Sequence, residues 1–401
     1  MTTPTSPAPE SAAPPRGAIA ALFLVVLIDL IGFGMIIPVF PFFATRIGID
    51  PATVIVLLGL YSIGQLVGAP LWGALSDRIG RRPVLLVTLL ANTVATALLG
   101  FADTALLLGA SRLVSGLAAG NISTAFAYAA DISTEHTRPR YLGLLGSAFG
   151  LGFIFGPAIG GFLAGSGDDP AGFARVAFVA AALSFLAFLV TAFVVRESLR
   201  PEHRATSASR GSWLALVRIP TMRAPLLAAF LVIAATAILL STFALWADAT
   251  LGLGPRGLGT YYAYIGALSA MIQGGAIGPL TRRLGEWRLA LIGSAGVALS
   301  LLLLPVATHQ GVLLTSLTLL GLGSACFLPS VSGLVARAAP PAQRGAALGA
   351  YQSAASLGRT VGPFAASLVV RQVSLGAPFV VGALVATLGA GVLYRARRSL
   401  R

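Results

Sequence analysis

The sequence predicts an all-α integral membrane protein, with about twelve transmembrane helices forming two six-helix halves around a central cavity. Three observations carry this expectation. First, 56% of the 401 residues are hydrophobic and only 10% are charged, against about 25% charged in an ordinary soluble domain. So few charges cannot cover a water-exposed surface, and a soluble globular enzyme is excluded. Second, the charges are clustered, and the apolar stretches between them are near the roughly 20 residues a helix needs to cross about 30 Å of hydrocarbon. Third, the chain repeats internally, at an offset of 205–206 residues.

Residues 1–17 are rich in Pro, Ser and Thr and read as a disordered cytoplasmic tail. The spans follow at about 18–45, 52–75, 83–101, 104–129, 141–165 and 172–195, making a first half over 18–195. A polar, Arg-rich linker over 196–223 leads to spans at about 224–249, 257–281, 288–307, 311–336, 344–370 and 376–395, a second half over 224–395. Residues 396–401 form a short tail. An even number of spans puts both termini on one side. All 27 basic residues are Arg; 21 of them fall in segments on the side of the termini, and four, Arg46, Arg175, Arg256 and Arg371, on the other. The positive-inside rule then puts both termini in the cytoplasm of a bacterial cell, with the chain multi-pass in the inner membrane.

The repeat sets Gly143–Gly160 against Gly349–Ala366, with Ser147/Ser353, Gly152/Gly358, Gly156/Gly362 and Pro157/Pro363 coinciding. A second match sets Gly73–Arg81 against Gly278–Glu286. There Asp77 faces Arg282 and Arg81 faces Glu286, so the charges are swapped. Parallel repeats of this kind put a substrate site near the midplane, between the halves.

The net charge of +14 is compatible with nucleic acid or with an anionic membrane surface. The arginines sit in short loops between apolar runs, so the membrane is the expected partner and nucleic acid is not. A single cysteine, Cys326, and three scattered histidines leave no metal site, no triad and no cofactor in view. A membrane enzyme would show clustered His, Cys or acids at one face, and a receptor a folded extramembrane domain; neither pattern is present.

Three motifs then resemble a known family over essentially the whole chain, the twelve-helix major facilitator superfamily of transporters. After helix two, Gly73-Ala-Leu-Ser-Asp77-Arg78-Ile-Gly80-Arg81-Arg82 is similar to that family's loop signature. Helix four carries Arg112, with Gly116 four residues on. Helix five carries Gly152-Phe-Ile-Phe-Gly156-Pro157-Ala-Ile-Gly160-Gly161, similar to the glycine–proline signature of the drug–proton antiporter branch. With Asp29-Leu-Ile-Gly32-Phe-Gly34 in helix one, the chain resembles tetracycline–proton antiporters and multidrug exporters. That branch carries further acids in helices three and nine and a histidine in helix eight, where this chain has Ala95, Val297 and Ser269. Arg359 stands in helix eleven where the branch is uncharged.

The resemblance implies an antiporter that exports a small amphipathic or drug-like molecule against protons by alternating access, as a monomer. The alternative is a proton-coupled importer of a metabolite. Asp29, the only acid well inside a span, is the expected proton carrier. Counted along the helices, Arg112 falls at a similar depth, which makes it the candidate partner. The alternative is a structural ion pair or a permanently protonated acid. By resemblance, Asp77 caps helix eleven and Arg81 pairs with Asp131, holding the cytoplasmic side shut. Candidate cavity residues are Phe33, Gln65, Asn121, Trp246, Gln273, Gln352 and Arg359; the competing readings are packing for Phe33 and Trp246 and hydrogen bonds across helices for the four amides, while Arg359 is either a counter-ion for an anionic substrate or a guanidinium satisfied by carbonyls or cavity water. Small-residue stripes at Gly64/Gly68, Gly152/Gly156/Gly160, Gly266/Ala270/Gly274/Gly278 and Ala354/Gly358/Gly362/Ala366 are expected to line the seams between the halves, helix five against eight and helix two against eleven.

Overall fold

The computed structural model describes residues 17–134, 137–165, 169, 171–199, 219–340 and 343–399. Residues 1–16 of the expected tail, 200–218 of the expected linker and 400–401 at the C-terminal end lie outside the described residues.

The described chain is helical throughout. The first half holds α1 (Ala18–Arg46), α2 (Pro51–Ile79), α3 (Arg81–Gly100), α4 (Ala105–Ala118), α5 (Asn121–Asp131), α6 (Arg138–Ala164) and α7 (Gly172–Phe193). The second holds α8 (Pro220–Leu251), α9 (Pro255–Met271), α10 (Ile277–Leu284), α11 (Glu286–Leu303), α12 (Gln310–Ala338), α13 (Arg344–Gln372) and α14 (Ala377–Ser399). Local chemistry sets the boundaries. Asp50 accepts the Thr53 backbone N–H at 3.0 Å and is followed by Pro51 in the first turn of α2, a cap and a pre-set φ together. Gly252, at φ 62°, ends α8.

These helices make twelve rods. α4 and α5 form one rod broken at Ala119–Gly120, and α9 and α10 form another, joined through a π-helical turn at Ile272–Ala276. Ten rods are long and apolar enough to cross a membrane by themselves. The π turn cuts the eleventh into short pieces. The twelfth, α13, is long enough but carries Gln352, Arg359 and several Ser and Thr. The same pairings recur in both halves: α1 with α6 and α8 with α13, α2 with α4 and α9 with α12, α3 with α7 and α11 with α14. Large apolar side chains of α3, α7, α11 and α14 point outward, among them Val94, Phe185, Leu299 and Leu388, as lipid-facing helices require.

The halves meet where expected, α6 against α9 and α2 against α13, but most glycine stripes do not line those seams. A methyl group added at Gly152 would meet Leu30 at 2.6 Å, and one at Gly156 would meet Gly34 at 2.8 Å; Gly160 lies against the Met35 backbone. All three glycines face α1, inside the first half. Gly358 and Gly362 lie against Phe230 and Ala234 of α8, the matching contact in the second half. Gly64 and Gly68 lie against Leu113 and Leu117 of α4. Stripes spaced by four let backbones approach within a half, where packing is permanent. Other residues meet across the seams: Gly161 and the Pro157 carbonyl with Pro255 and Gly259, Gly266 with Phe153 and Ile154, and Gly59 with Pro363 and Phe364. The repeated prolines Pro157 and Pro363 thus hold equivalent places in the two seams.

Among the described residues, hydrogen bonds across the seams gather toward one end. The terminal face is where α1 and α8 begin and α7 and α14 end; the distal face is opposite. Near the distal face, Ser367 donates to the Ala52 carbonyl at 2.8 Å and Arg371 reaches Thr53 Oγ1 at 3.4 Å. Toward the terminal face, a methyl group added at Gly73, Gly143, Gly146, Gly274, Gly275 or Gly349 would meet nothing within 4 Å. Among the described residues, the halves thus touch near the distal face and leave open space beside these glycines toward the terminal face.

Candidate functional site: a polar cage and two arginines within the helices

Asp29 lies in the middle of α1 and is only 7% exposed. Its Oδ1 accepts from Asn92 Nδ2 of α3 and Ser184 Oγ of α7, both at 3.1 Å. Its Oδ2 accepts from Asn121 Nδ2 of α5 at 2.7 Å. Four helices of the first half meet at this carboxyl, and its partners are neutral donors. The Asn121 Oδ1 is buried and has no hydrogen-bond partner.

Arg112 is not one of those partners. It is 4% exposed, and its guanidinium carbon stands 5.7 Å from the centre of the Phe40 ring. Phe40 is eleven residues beyond Asp29 on α1, about 16 Å at 1.5 Å per residue. The expected Asp29–Arg112 pairing is therefore replaced by the cage. The equal-depth expectation measured both residues inward from the faces of a ~30 Å hydrocarbon core. α1 runs 29 residues, about 43 Å, and the extra length separates the two groups.

Tyr61 of α2 lies between them in depth, ten residues from the distal start of its helix. Its ring packs on Phe33 at 4.7 Å, and Phe33 meets Phe153 of α6 edge-on at 6.3 Å. Arg359 enters from α13, half-buried, and its Nη2 donates to Ser356 Oγ at 2.9 Å. Of the other cavity candidates, Gln65 is half-buried and Gln273 and Gln352 are exposed, Gln273 within the π turn. Asn121 belongs to the cage. Trp246 is 3% exposed and packs with Phe243 and Phe379 in the core of the second half, a packing role.

At the terminal face, Arg81 joins the loop after α2 to the end of α5. Its Nε donates to Asp131 Oδ2 at 2.9 Å, and its Nη1 to Asp77 Oδ1 at 2.5 Å and Ser76 Oγ at 2.7 Å. Glu197 accepts the backbone N–H groups of Arg81 and Arg82 at 2.9 and 3.1 Å, which caps α3. Gly80 makes this possible: its φ is 112°, and a side chain there would strike the Glu197 carboxylate. The second half repeats the pair with inverted charge, Glu286 Oε1 to Arg337 Nη2 at 3.0 Å, after Gly285 at φ 76°. At the distal face, hydrogen bonding to Thr53 holds the Asp50 carboxyl below the usual carboxylate range, and Arg371 across the seam adds to this.

Three site residues escaped the reading of charges alone: Asn92, Ser184 and Tyr61. Depth was the available signal for the first. Asn92 lies eleven residues from the start of α3, and Asp29 eleven from the start of α1, so both sit about 16 Å from the terminal face.

The sequence profile of the Major Facilitator Superfamily matches residues 22–311 and 276–400. The class E tetracycline resistance protein of Escherichia coli is 32% identical over 353 residues, 85% of this chain and 84% of its own. Multidrug resistance protein 2 of Bacillus subtilis (strain 168) is 28% identical over 385 residues, 92% of both chains. The crystal structure of the human organic anion transporter MFSD10 superposes with a TM-score of 0.71 at 26% identity, covering 95% of this chain and 100% of that one. Repeat, fold and profile agree, and the chain belongs to the Major Facilitator Superfamily of membrane transporters.

Proposed function

We propose that this transporter is a proton-coupled antiporter that exports a small amphipathic or drug-like molecule across a bacterial inner membrane. The observation that carries the reading is the Asp29 cage: one buried carboxyl, joined to three other helices of its half by neutral donors. A proton-driven exporter needs a group that exchanges its proton as the halves rock. When ionised, Asp29 accepts three hydrogen bonds. When protonated, it becomes a donor, and the unpartnered Asn121 Oδ1 is the acceptor that a half-turn of the amide brings to it. Asn121 is the first residue of α5, directly after the break in its rod, so this exchange acts at a joint.

The arginine bias supports cytoplasmic termini. The terminal face is then the cytoplasm, and an arrangement open toward it is inward-facing. In the opposite state the Gly73–Arg82 loop closes against the second half, with Asp77 at the start of α13 and Arg81–Asp131 bracing the loop. Pro157 and Gly161 of the helix-five signature stay in the seam. The transporter acts as a monomer on its small-molecule substrate and protons.

Inverted membrane vesicles energised by an imposed pH gradient test the reading. Exported compounds accumulate inside them, and Asp29→Asn abolishes this accumulation at unchanged protein abundance. Expulsion from the vesicles would instead identify an importer. Full accumulation by the variant would remove Asp29 from the coupling.

A further inference from the structure

Arg112 is a buried cation and Arg359 a half-buried one, and both have few protein partners. A guanidinium carries five N–H donors. Among the described residues, Arg112 makes no hydrogen bond and its Nε is buried without a partner, while Arg359 makes one, to Ser356. The ion pairs of the described residues leave both arginines without a carboxylate, and Asp29 is taken up by its neutral donors. Removing an uncompensated cation from water costs several kcal/mol even after relaxation, so buried Arg112, set against the Phe40 ring, calls for a counter-charge, and half-buried Arg359 is placed to share it.

The positions define a site. Counted from the distal helix ends, Arg112, Tyr61 and Arg359 lie at depths of about 10, 15 and 20 Å, on α4, α2 and α13. Arg112 belongs to the first half and Arg359 to the second. Tyr61 lies on α2, which packs against both α4 and α13, and opens a run of aromatic rings through Phe33 to Phe153, the last of them 38% exposed.

We propose that the substrate is an amphipathic organic anion whose carboxylate, sulfonate or phosphate group lies between Arg112 and Arg359 beside Tyr61, with its apolar body against Phe33 and Phe153. This rests on the exporter reading and names the substrate class of the same cavity. An anion bridging the halves has a different partner on each side of the seam. If one monoanion leaves as one proton enters, two positive charges move inward per cycle, so an inside-negative potential drives export together with the pH gradient.

The test uses two xanthene dyes of similar size and opposite charge, carboxyfluorescein and rhodamine 123, titrated onto the purified full-length protein with fluorescence anisotropy as the readout. Carboxyfluorescein binds and rhodamine 123 does not. Arg112→Gln and Arg359→Gln each weaken binding roughly tenfold or more, as expected for losing a charged hydrogen-bond donor. Arg359→Lys keeps affinity within a few-fold. Without dye, the Gln variants unfold no lower than the parent, because they give up at most one hydrogen bond. The proposal is overturned if carboxyfluorescein fails to bind, if it binds all variants alike, if rhodamine 123 binds as tightly, or if the Gln variants lose thermal stability before any dye is added. Carboxyfluorescein that binds through the arginines but is not moved by a pH gradient in vesicles would keep the anion site and overturn the exporter reading instead.

Discussion

Asn121 donates its side-chain amide to Asp29 at 2.7 Å, which ties the buried carboxyl of α1 to the first residue of α5, at the break in helix four. The buried carboxyl is thereby wired to a backbone joint through an amide, and Arg112 is not among its hydrogen-bond partners. Arg112→Ala is expected to leave the pH midpoint of substrate-induced proton release unchanged, whereas Asn121→Leu displaces it. Proton release recorded with a pH dye in weak buffer checks both. A midpoint that follows Arg112 and ignores Asn121 would reverse the assignment.

Glycines of α6 divide by what they touch. Gly156 has Gly34 Cα and the Ile31 carbonyl within 2.8 Å of an added methyl group, while Gly143 has nothing within 4 Å. Gly156→Ala is expected to destabilise by about 1–3 kcal/mol through overpacking against backbone, read as a lower thermal midpoint in detergent. Gly143→Ala leaves that midpoint level or raises it, because alanine is the better helix former. On the open side of the seam, Gly274→Leu is expected to fold normally and to slow transport by obstructing closure.

How much was legible in the sequence follows from which residues declare themselves by charge. The long apolar runs marked the rods to within a few residues, and the repeat placed Pro157 and Pro363 in equivalent positions. Spacing by four showed that Gly152, Gly156 and Gly160 meet a close neighbour, but a stripe does not say which neighbour. Only the packed structure assigns them to α1. Asn92 and Ser184 sit in otherwise apolar runs, so their part in the cage depends on which helices adjoin α1. Arg112 was misplaced for a geometric reason: depth counted against a nominal bilayer compresses helices that overrun it. The inverted pair Glu286–Arg337 was half legible, through Arg81 facing Glu286 across the repeat.

The Arg81–Asp131 pair at 2.9 Å joins a buried guanidinium to an exposed carboxylate, and the buried partner is the one that suffers when its charge is left alone. Asp131→Ala is expected to loosen the Gly73–Arg82 loop and reduce transport sharply. Exchanging the charges, Arg81→Asp with Asp131→Arg, restores part of the activity, since the second half already carries the pair in that order. Asp77→Asn is expected to shift the balance of conformers, measured by spin-label distances across the terminal face. An unchanged distribution with unchanged transport would remove the gate.

Asp50 caps α2 at the distal face, next to the Thr53 that meets Arg371 across the seam. Its carboxyl is held below the usual carboxylate range by Thr53, with Arg371 adding. A depressed folded-state value means the contribution is present above the ordinary value of about 3.9 and is lost only as pH falls through the lower one. Between pH 5 and 8 the distal contacts of Asp50 are therefore expected to hold steady. Distances between labels on the distal ends of α2 and α13 check this. Any shift in that window that vanishes in Asp29→Asn belongs to the midplane carboxyl.

The central claim is that the exchanged proton resides on Asp29. Substrate-induced proton release from purified protein in detergent measures it directly, with a transported compound added to weakly buffered parent and Asp29→Asn protein. The account predicts release from the parent and none from Asp29→Asn, with substrate still bound by the variant. Full release from the variant would contradict the account and leave Asp29 a structural residue.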